Sequence, residues 1–339
     1  MNRTKQEKYL SYWIKRYLME YLPYVKKLSL NTIKAYRDCY RILIPIVASD
    51  IPCNYDEIKV EDITPDRVIR ILSDIETVRN CSIQTRNNRL AAIKSLAQYV
   101  SMKSPEYLEW SRLIHNIPTK KHRKTLITYL ERDEMNSLLS APNDKIRQGY
   151  RNKAILLFMY NTGTRATEVV NVCVKDLEIN RQGVSFVKIL GKGDKYRFCP
   201  LWNETVAMLQ VIIEGKNEND YVFENRRGEP MTRFGIYEMI KKYAKDIETI
   251  HPQIKNKRLT PHTIRHTTAT HLLQSGVDIN TIRAWLGHVS INTTNIYTEV
   301  NMEVKAKALE ICKPNISVLK KKCGHFKENK DLMEFLNSL

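Results

Sequence analysis

The stretch 117-IPTKKHRKTLI-127 constrains the fold of this chain more than any other. Pro118 has no amide hydrogen to donate and stops a helix. Lys120, Lys121, Arg123 and Lys124 follow it at once. Like charges at that density are solvated, so the stretch reads as an exposed basic linker. The segments on either side must then each bury a core of their own. With 339 residues the chain has length for two domains at about 100–200 residues apiece. The expected division is a first domain over 1–116, a linker over 117–126, a second domain over 127–312 and a tail over 313–339.

The first domain reads as helices. In 29-SLNTIKAYRDCYRILIPIVA-48, Ser29 has a capping side chain, and Ile33, Tyr36, Tyr40 and Ile44 recur at helical spacing. Thr64-Pro65 opens another helix, with proline at the tolerated first position. A third runs through 82–101, with Ile93, Leu96, Ala97 and Val100 as its apolar face. Traced back, that face carries Arg86 and Arg89. Either the helix leaves the core there and presents them to a partner, or they are simply solvated. The second domain starts with a helical pattern in 127-ITYLERDEMNSLLSAP-142 and holds one β region, 183-GVSFVKILGKGDKYRFCPL-201, whose GKGD turn predicts a hairpin. The fold class is therefore mainly α with a small antiparallel β-sheet. In the tail, 331-DLMEFLNSL-339 sets Leu332, Phe335, Leu336 and Leu339 on one helical face, in a helix too short to stand alone.

Charge narrows the partners. Lys and Arg number 55 against 37 acids, a net +18. Such an excess favours polyanions, since Lys and Arg release condensed counterions from nucleic acid. No apolar run approaches the ~20 residues that span a membrane, and MNRTKQEKYLSYW lacks a signal-peptide core. The expectation is a cytoplasmic protein with no membrane partner. The seven cysteines are scattered with no C-x-x-C pair, which argues for reduced thiols. Cys312, Cys323 and His325 match no zinc spacing.

The segment 259-LTPHTIRHTTATHLLQSG-276 crowds in three histidines. His262 and His266 have the spacing of a helical zinc pair. Arg265 sits between them, however, and the segment contains no acid, so a metal reading is poor. A phosphate reading fits better. Thr260 can cap a helix that Pro261 starts, and a helix N-terminus offers free N–H groups and a positive dipole end. His262 and Arg265, three apart, share a face there and can hold two oxygens of one phosphate. His266 and His271 then become packing residues.

Three further places carry candidate chemistry. In 161-NTGTRATEVVNV-172, Gly163 and Thr164 turn into a helix whose first turn holds Arg165, with Glu168 three residues on; Glu168 either orients the guanidinium or forms an ordinary surface pair. In 190-LGKGDKYR-197, glycines on both sides project Lys192 from a tight turn; Lys195 and Arg197 are alternatives for its role. In 285-WLGHVSINTTNIYTEV-300, Gly287 ends a helix, His288 follows, and Tyr297 lies two turns into the next helix.

In order these are Arg165, Lys192, His262-x-x-Arg265, His288 and Tyr297. Together, TGTRATEVVNV, GKGDKYRFCPL and TPHTIRHTTATHLLQSGVDINTIRAWLGHVSINTTNIYTEV strongly resemble the tyrosine recombinase, or phage integrase, family over about 127–310. The first domain resembles that family's helical core-binding domain more loosely. The resemblance implies a two-domain clamp on double-stranded DNA recombination sites. It implies Tyr297 as nucleophile, giving a 3′-phosphotyrosyl link; His262 as proton acceptor; Arg165 and Arg265 as phosphate clamps; Lys192 as proton donor to the leaving 5′-oxygen; His288 as a phosphate hydrogen-bond donor; and Glu168 as support behind Arg165. Neither cofactor nor metal is expected, because side-chain cations supply the charge. Arg86, Arg89, Lys120, Lys121, Arg123 and Lys124 become candidate DNA contacts. The family further implies a free monomer that assembles as a tetramer on two sites, with the tail helix docking in cis or in trans. Rival readings are a type IB topoisomerase, a metal-dependent nuclease or transposase, and a DNA-binding protein without activity.

Overall fold

A computed structural model describes residues 6–121, 127–180, 183–191 and 195–287. The chain divides into two compact units, Met1–Thr125 and Leu126–Leu339.

The first unit is helical. Helix α1, Leu10–Arg16, continues in wider π-type winding over Tyr17–Val25. Helices α2 (Leu30–Asp50), α3 (Pro65–Thr77) and α4 (Ile83–Lys103) start where the local signals predict. Ser29, Thr64 and Ser82 each accept the amide hydrogen of the residue three positions on, which satisfies an otherwise orphaned donor. Helix α5 follows over Leu108–His115. The core gathers Trp13, Tyr17, Tyr40, Leu43, Ile71, Leu90, Ile93 and Val100. Its buried phenols are paired, as burial requires: Tyr17 donates to Ser95 Oγ at 2.6 Å and Tyr40 to the Ala92 carbonyl at 2.9 Å.

Two expectations about charge change here. Arg86 is only 4% exposed, so it is not a cation presented to a partner. It lies one turn before Leu90 on the inward face of α4, and its Nη1 donates to the Pro118 carbonyl at 3.4 Å and to Asn87 Oδ1 at 3.0 Å. The start of the basic stretch is docked, not free. Ile117 is buried in the core of this unit. Lys94 donates to the Ile117 carbonyl at 2.6 Å, Asn87 pairs with the Lys120 backbone, and the Lys120 ammonium meets Glu76 at 2.7 Å. Arg89 is half-buried, with Nη1 3.6 Å from Cys81 Sγ, and Lys121 is exposed. Arg123 and Lys124 lie outside the described residues.

The second unit is also mostly helical: α6 (Arg132–Ser140), α7 (Arg147–Thr162), the short α8 (Ala166–Val169), α9 (Asn203–Ile213), α10 (Arg233–Asp246), α11 (Pro261–Gln274) and α12 (Ile279–Leu286). Strands β1 (Leu177–Glu178), β2 (Phe186–Leu190) and β3 (Tyr196–Pro200) form one antiparallel sheet in the order β1-β2-β3, with Val187 opposite Cys199 and Ile189 opposite Arg197. Those four side chains face inward, as strand alternation dictates. Helices α7 and α11 pack together and bury Ile155, Phe158, Met159, Ile264 and Ala269. Gly163 ends α7 at φ +61° and Gly287 ends α12 at φ +66°, conformations that favour glycine. A Cβ on Gly163 would stand 2.5 Å from the Leu286 Cδ2, so a larger residue there would also require the Leu286 side chain to shift. No helix among the described residues is long and apolar enough to cross a membrane.

Candidate active site

The site is assembled where helix ends meet. Helix α7 stops at Gly163, α12 stops at Leu286, and α11 begins beside them. Each helix C-terminus leaves carbonyls without intrahelical partners and carries partial negative charge. Arg265, in the second turn of α11, answers both. It is 3% exposed, donating from Nη1 to the Gly163 carbonyl at 2.7 Å and from Nη2 to the Leu286 carbonyl at 2.5 Å. A buried guanidinium is costly unless hydrogen-bonded, and these bonds lock its fork in one orientation.

Arg165 occupies the N-cap position of α8 rather than its first turn. Its backbone N–H donates to Glu168 Oε2 at 2.9 Å and its Nη1 to Glu168 Oε1 at 2.6 Å. The Glu168 side chain is 5% exposed while that of Arg165 keeps 29%, so the carboxylate grips the guanidinium from the buried side and leaves part of it open to solvent. Burial alone would raise the Glu168 carboxyl. The Arg197 hydrogen bond and charge, followed by the Arg165 backbone N–H and the Arg165 charge, outweigh it and hold the carboxyl below its ordinary value.

His262 stands exposed in the first turn of α11. That turn is fixed by reciprocal bonds: the Thr263 amide donates to Thr260 Oγ1 at 3.2 Å, and the Thr260 amide to Thr263 Oγ1 at 3.1 Å. Its imidazole is held below the usual histidine value by desolvation first, then by the charges of Arg265 and Arg165. Arg165, His262 and Arg265, spread over a hundred residues of sequence, therefore act on one another in space. The neutral imidazole that results at pH 7 is the form that accepts a proton.

His271 belongs to the packing, and His266 is half-buried. Burial leads the causes that push each down to about 4. His271 is buried and shares a 2.7 Å hydrogen bond with the Tyr160 hydroxyl. Among the described residues no three His, Cys, Asp or Glu side chains are grouped to hold a metal ion. Lys192, His288 and Tyr297 lie outside the described residues.

Sequence reading undervalued Arg197, weighing it only as a stand-in for Lys192. It is buried, and its Nη2 donates to Glu168 Oε2 at 2.6 Å. The available signal was strand alternation, which puts position 197 on the inward face between Tyr196 and Phe198. The cleft at the far end of α7, lined by Arg147, Arg151, Val211 and Arg226 among others, includes none of these residues.

Comparison with known proteins supplies the family. Residues 128–304 match the phage integrase family. A protein of Sinorhizobium fredii named for an integrase or recombinase, y4rC, is 31% identical over 328 residues, covering 96% of this chain and 97% of the relative. Tyrosine recombinase XerD of Staphylococcus haemolyticus is 32% identical over 307 residues, covering 83% of this chain and 93% of the relative. The fold matches XerH site-specific recombinase bound to its palindromic difH substrate, with TM-score 0.65 at 24% identity over 85% of this chain and 82% of that one. It also matches the Tn1549 transposon integrase in complex with circular intermediate DNA, with TM-score 0.65 at 16% identity over 88% of this chain and 99% of that one. The chain belongs to the phage integrase family, the tyrosine recombinases.

Proposed function

We propose that this protein recombines duplex DNA at specific sites by cutting and rejoining strands through a 3′-phosphotyrosyl intermediate. The observation that carries this reading is the convergence of Arg165 and Arg265 on His262 at the N-terminus of α11, where desolvation and then the two charges disfavour the protonated imidazole. Two oriented guanidiniums beside a helix N-terminus suit the developing charge of a phosphoryl group under attack. An unperturbed phenol, with pKa ~10, needs a base to act at pH 7, and in this reading His262, held below the ordinary histidine value, is that base. In this reading Tyr297 attacks the scissile phosphate and passes its proton to His262. Lys192 protonates the departing 5′-oxygen, and His288 donates to a phosphate oxygen. A 5′-hydroxyl from the partner duplex then attacks the tyrosyl ester and releases the enzyme. The phosphoester bond is exchanged at each step, so no nucleotide cofactor enters the balance.

The two units would close on duplex DNA as a clamp, four copies bringing two sites together and the tail helix joining neighbours. Arg89, Lys120, Lys121, Arg123 and Lys124 remain candidate phosphate contacts, which position a protein without reading sequence. Movement of a mobile element is the biological role we favour, because the relative covering 96% of this chain is named for an integrase or recombinase; chromosome-dimer resolution would use the same chemistry.

Strand exchange between two differently labelled duplexes, in chelator, tests the reading. Target duplexes come from a randomised pool by covalent capture in denaturant. Exchanged products are expected. Nicking and resealing of one duplex alone would favour a topoisomerase, and cleavage that chelator abolishes would favour a metal nuclease.

A further inference from the structure

Arg197 faces inward from β3, opposite Ile189 and beside Val187 and Cys199, where strand alternation calls for an apolar residue. A buried cation at such a position is expensive unless it is paired. Its pairing is specific. The Nη2 donates to Glu168 Oε2 at 2.6 Å, with side-chain exposures of 7% and 5%. The same carboxylate receives Arg165 Nη1 on its other oxygen at 2.6 Å. Arg197, Glu168 and Arg165 thus form a chain of two cations around one anion, with Arg165 at the open end.

Two close approaches extend this arrangement. A Cβ on Gly287 would come within 3.2 Å of Arg197 Cδ and 3.3 Å of its Nη1, and one on Gly191 within 3.4 Å of Nη1. The backbone therefore passes tightly over this guanidinium twice, each time one residue before a candidate catalytic group, Lys192 or His288. Arg197 Nε and Nη1 are buried and have no acceptor among the described residues, so the side chain is kept despite unspent hydrogen-bonding capacity.

Charge counting gives this a purpose. Arg165 with Glu168 alone sums to zero, and a phosphate approaching Arg165 would also face a buried carboxylate. With Arg197 the trio sums to +1, and Glu168 orients Arg165 without cancelling it.

We infer that Arg197 is a positioning residue for strand cleavage: it neutralises Glu168 from behind, so that Arg165 keeps its charge for the scissile phosphate, and it packs against Gly191 and Gly287, the residues that precede Lys192 and His288 in sequence. This rests on the recombinase reading above.

The test measures covalent adduct formation on nicked duplexes captured by the wild-type protein, for wild type, Arg197→Gln, Arg197→Lys, Glu168→Gln and the Arg197→Gln/Glu168→Gln double variant. Duplex binding and thermal melting are recorded for each. Arg197→Gln is expected to slow the cleavage step at saturating DNA by roughly 100-fold, with duplex affinity unchanged. Removing the stranded carboxylate in the double variant should recover at least about tenfold of that loss, because the harm comes from uncompensated charge. Arg197→Lys, which keeps the charge and loses the fork, should fall between wild type and Arg197→Gln. A purely structural residue would show no such rescue. Folded Arg197→Gln cleaving at the wild-type rate, or a double variant no faster than Arg197→Gln, overturns the inference. If Arg197→Gln does not fold, Arg197→Met is read in its place, and a folded Arg197→Met that gains nothing from adding Glu168→Gln overturns it equally. If wild type itself forms no adduct on any captured duplex, the recombinase reading fails and takes the inference with it.

Discussion

Arg86 in the first unit and Arg265 in the second are buried to almost the same degree, at 4% and 3% exposure, and both donate to backbone carbonyls. Their company separates them. Arg86 reaches the Pro118 carbonyl and the neighbouring Asn87 side chain; with Lys94, whose ammonium value is lowered by burial and then by the Arg86 charge, it fastens the chain leaving α5. Arg265 closes two helix C-termini at once and stands beside His262 and Arg165, of which His262 is exposed and Arg165 partly so. Burial of a cation therefore marks a constraint on the chain. Convergence of cations with one side open to solvent marks a place for an anion.

The largest expected difference between the two is catalytic. Arg265→Gln should lower the rate of covalent adduct formation by about 100- to 1000-fold, the usual loss for a donor to a developing oxyanion, while single-turnover assays show duplex still bound. Arg86→Gln should leave the rate per folded molecule unchanged. A fall in that rate without a fall in stability would erase the distinction.

The pH dependence of cleavage should follow His262. A base works when neutral, so below its pKa the rate drops about tenfold per pH unit. Desolvation, Arg265 and Arg165 hold that pKa under the ordinary 6.5. The single-turnover profile should thus bend below pH 6.5 and be flat from pH 7 to 8. A bend above pH 7 would mean that the imidazole does not feel the two arginines.

The smallest effect is on stability. Arg86→Gln should lower the free energy of unfolding of the first unit by about 1–3 kcal/mol, the range for stranding a buried acceptor, as read from a urea titration.

The division of what the sequence showed follows the range of the interactions. Caps at Ser29 and Thr260, the Pro65 and Pro261 starts and the Gly287 stop depend on residues within one turn, and each was legible locally. The hairpin at 186–200 followed from alternation around a glycine turn. Arg86 was misjudged because its direction is decided by a carbonyl 32 positions later. Arg197 was undervalued because its carboxylate lies 29 positions earlier, on an element whose placement only the packed unit reveals. The grouping of His262 with Arg265 came from helical spacing. What spacing did not expose is that Arg265 is anchored by the ends of two other helices, α7 and α12.

Peptide mapping of the covalent complex tests the central claim most directly. Wild type is incubated with captured nicked duplex in chelator, denatured, digested with protease and nuclease, and analysed by mass spectrometry. A nucleotide 3′-phosphate on the Tyr297 side chain, absent from Tyr297→Phe, is the predicted result. Attachment at another residue, or strand cleavage that leaves no protein-linked DNA, would contradict it.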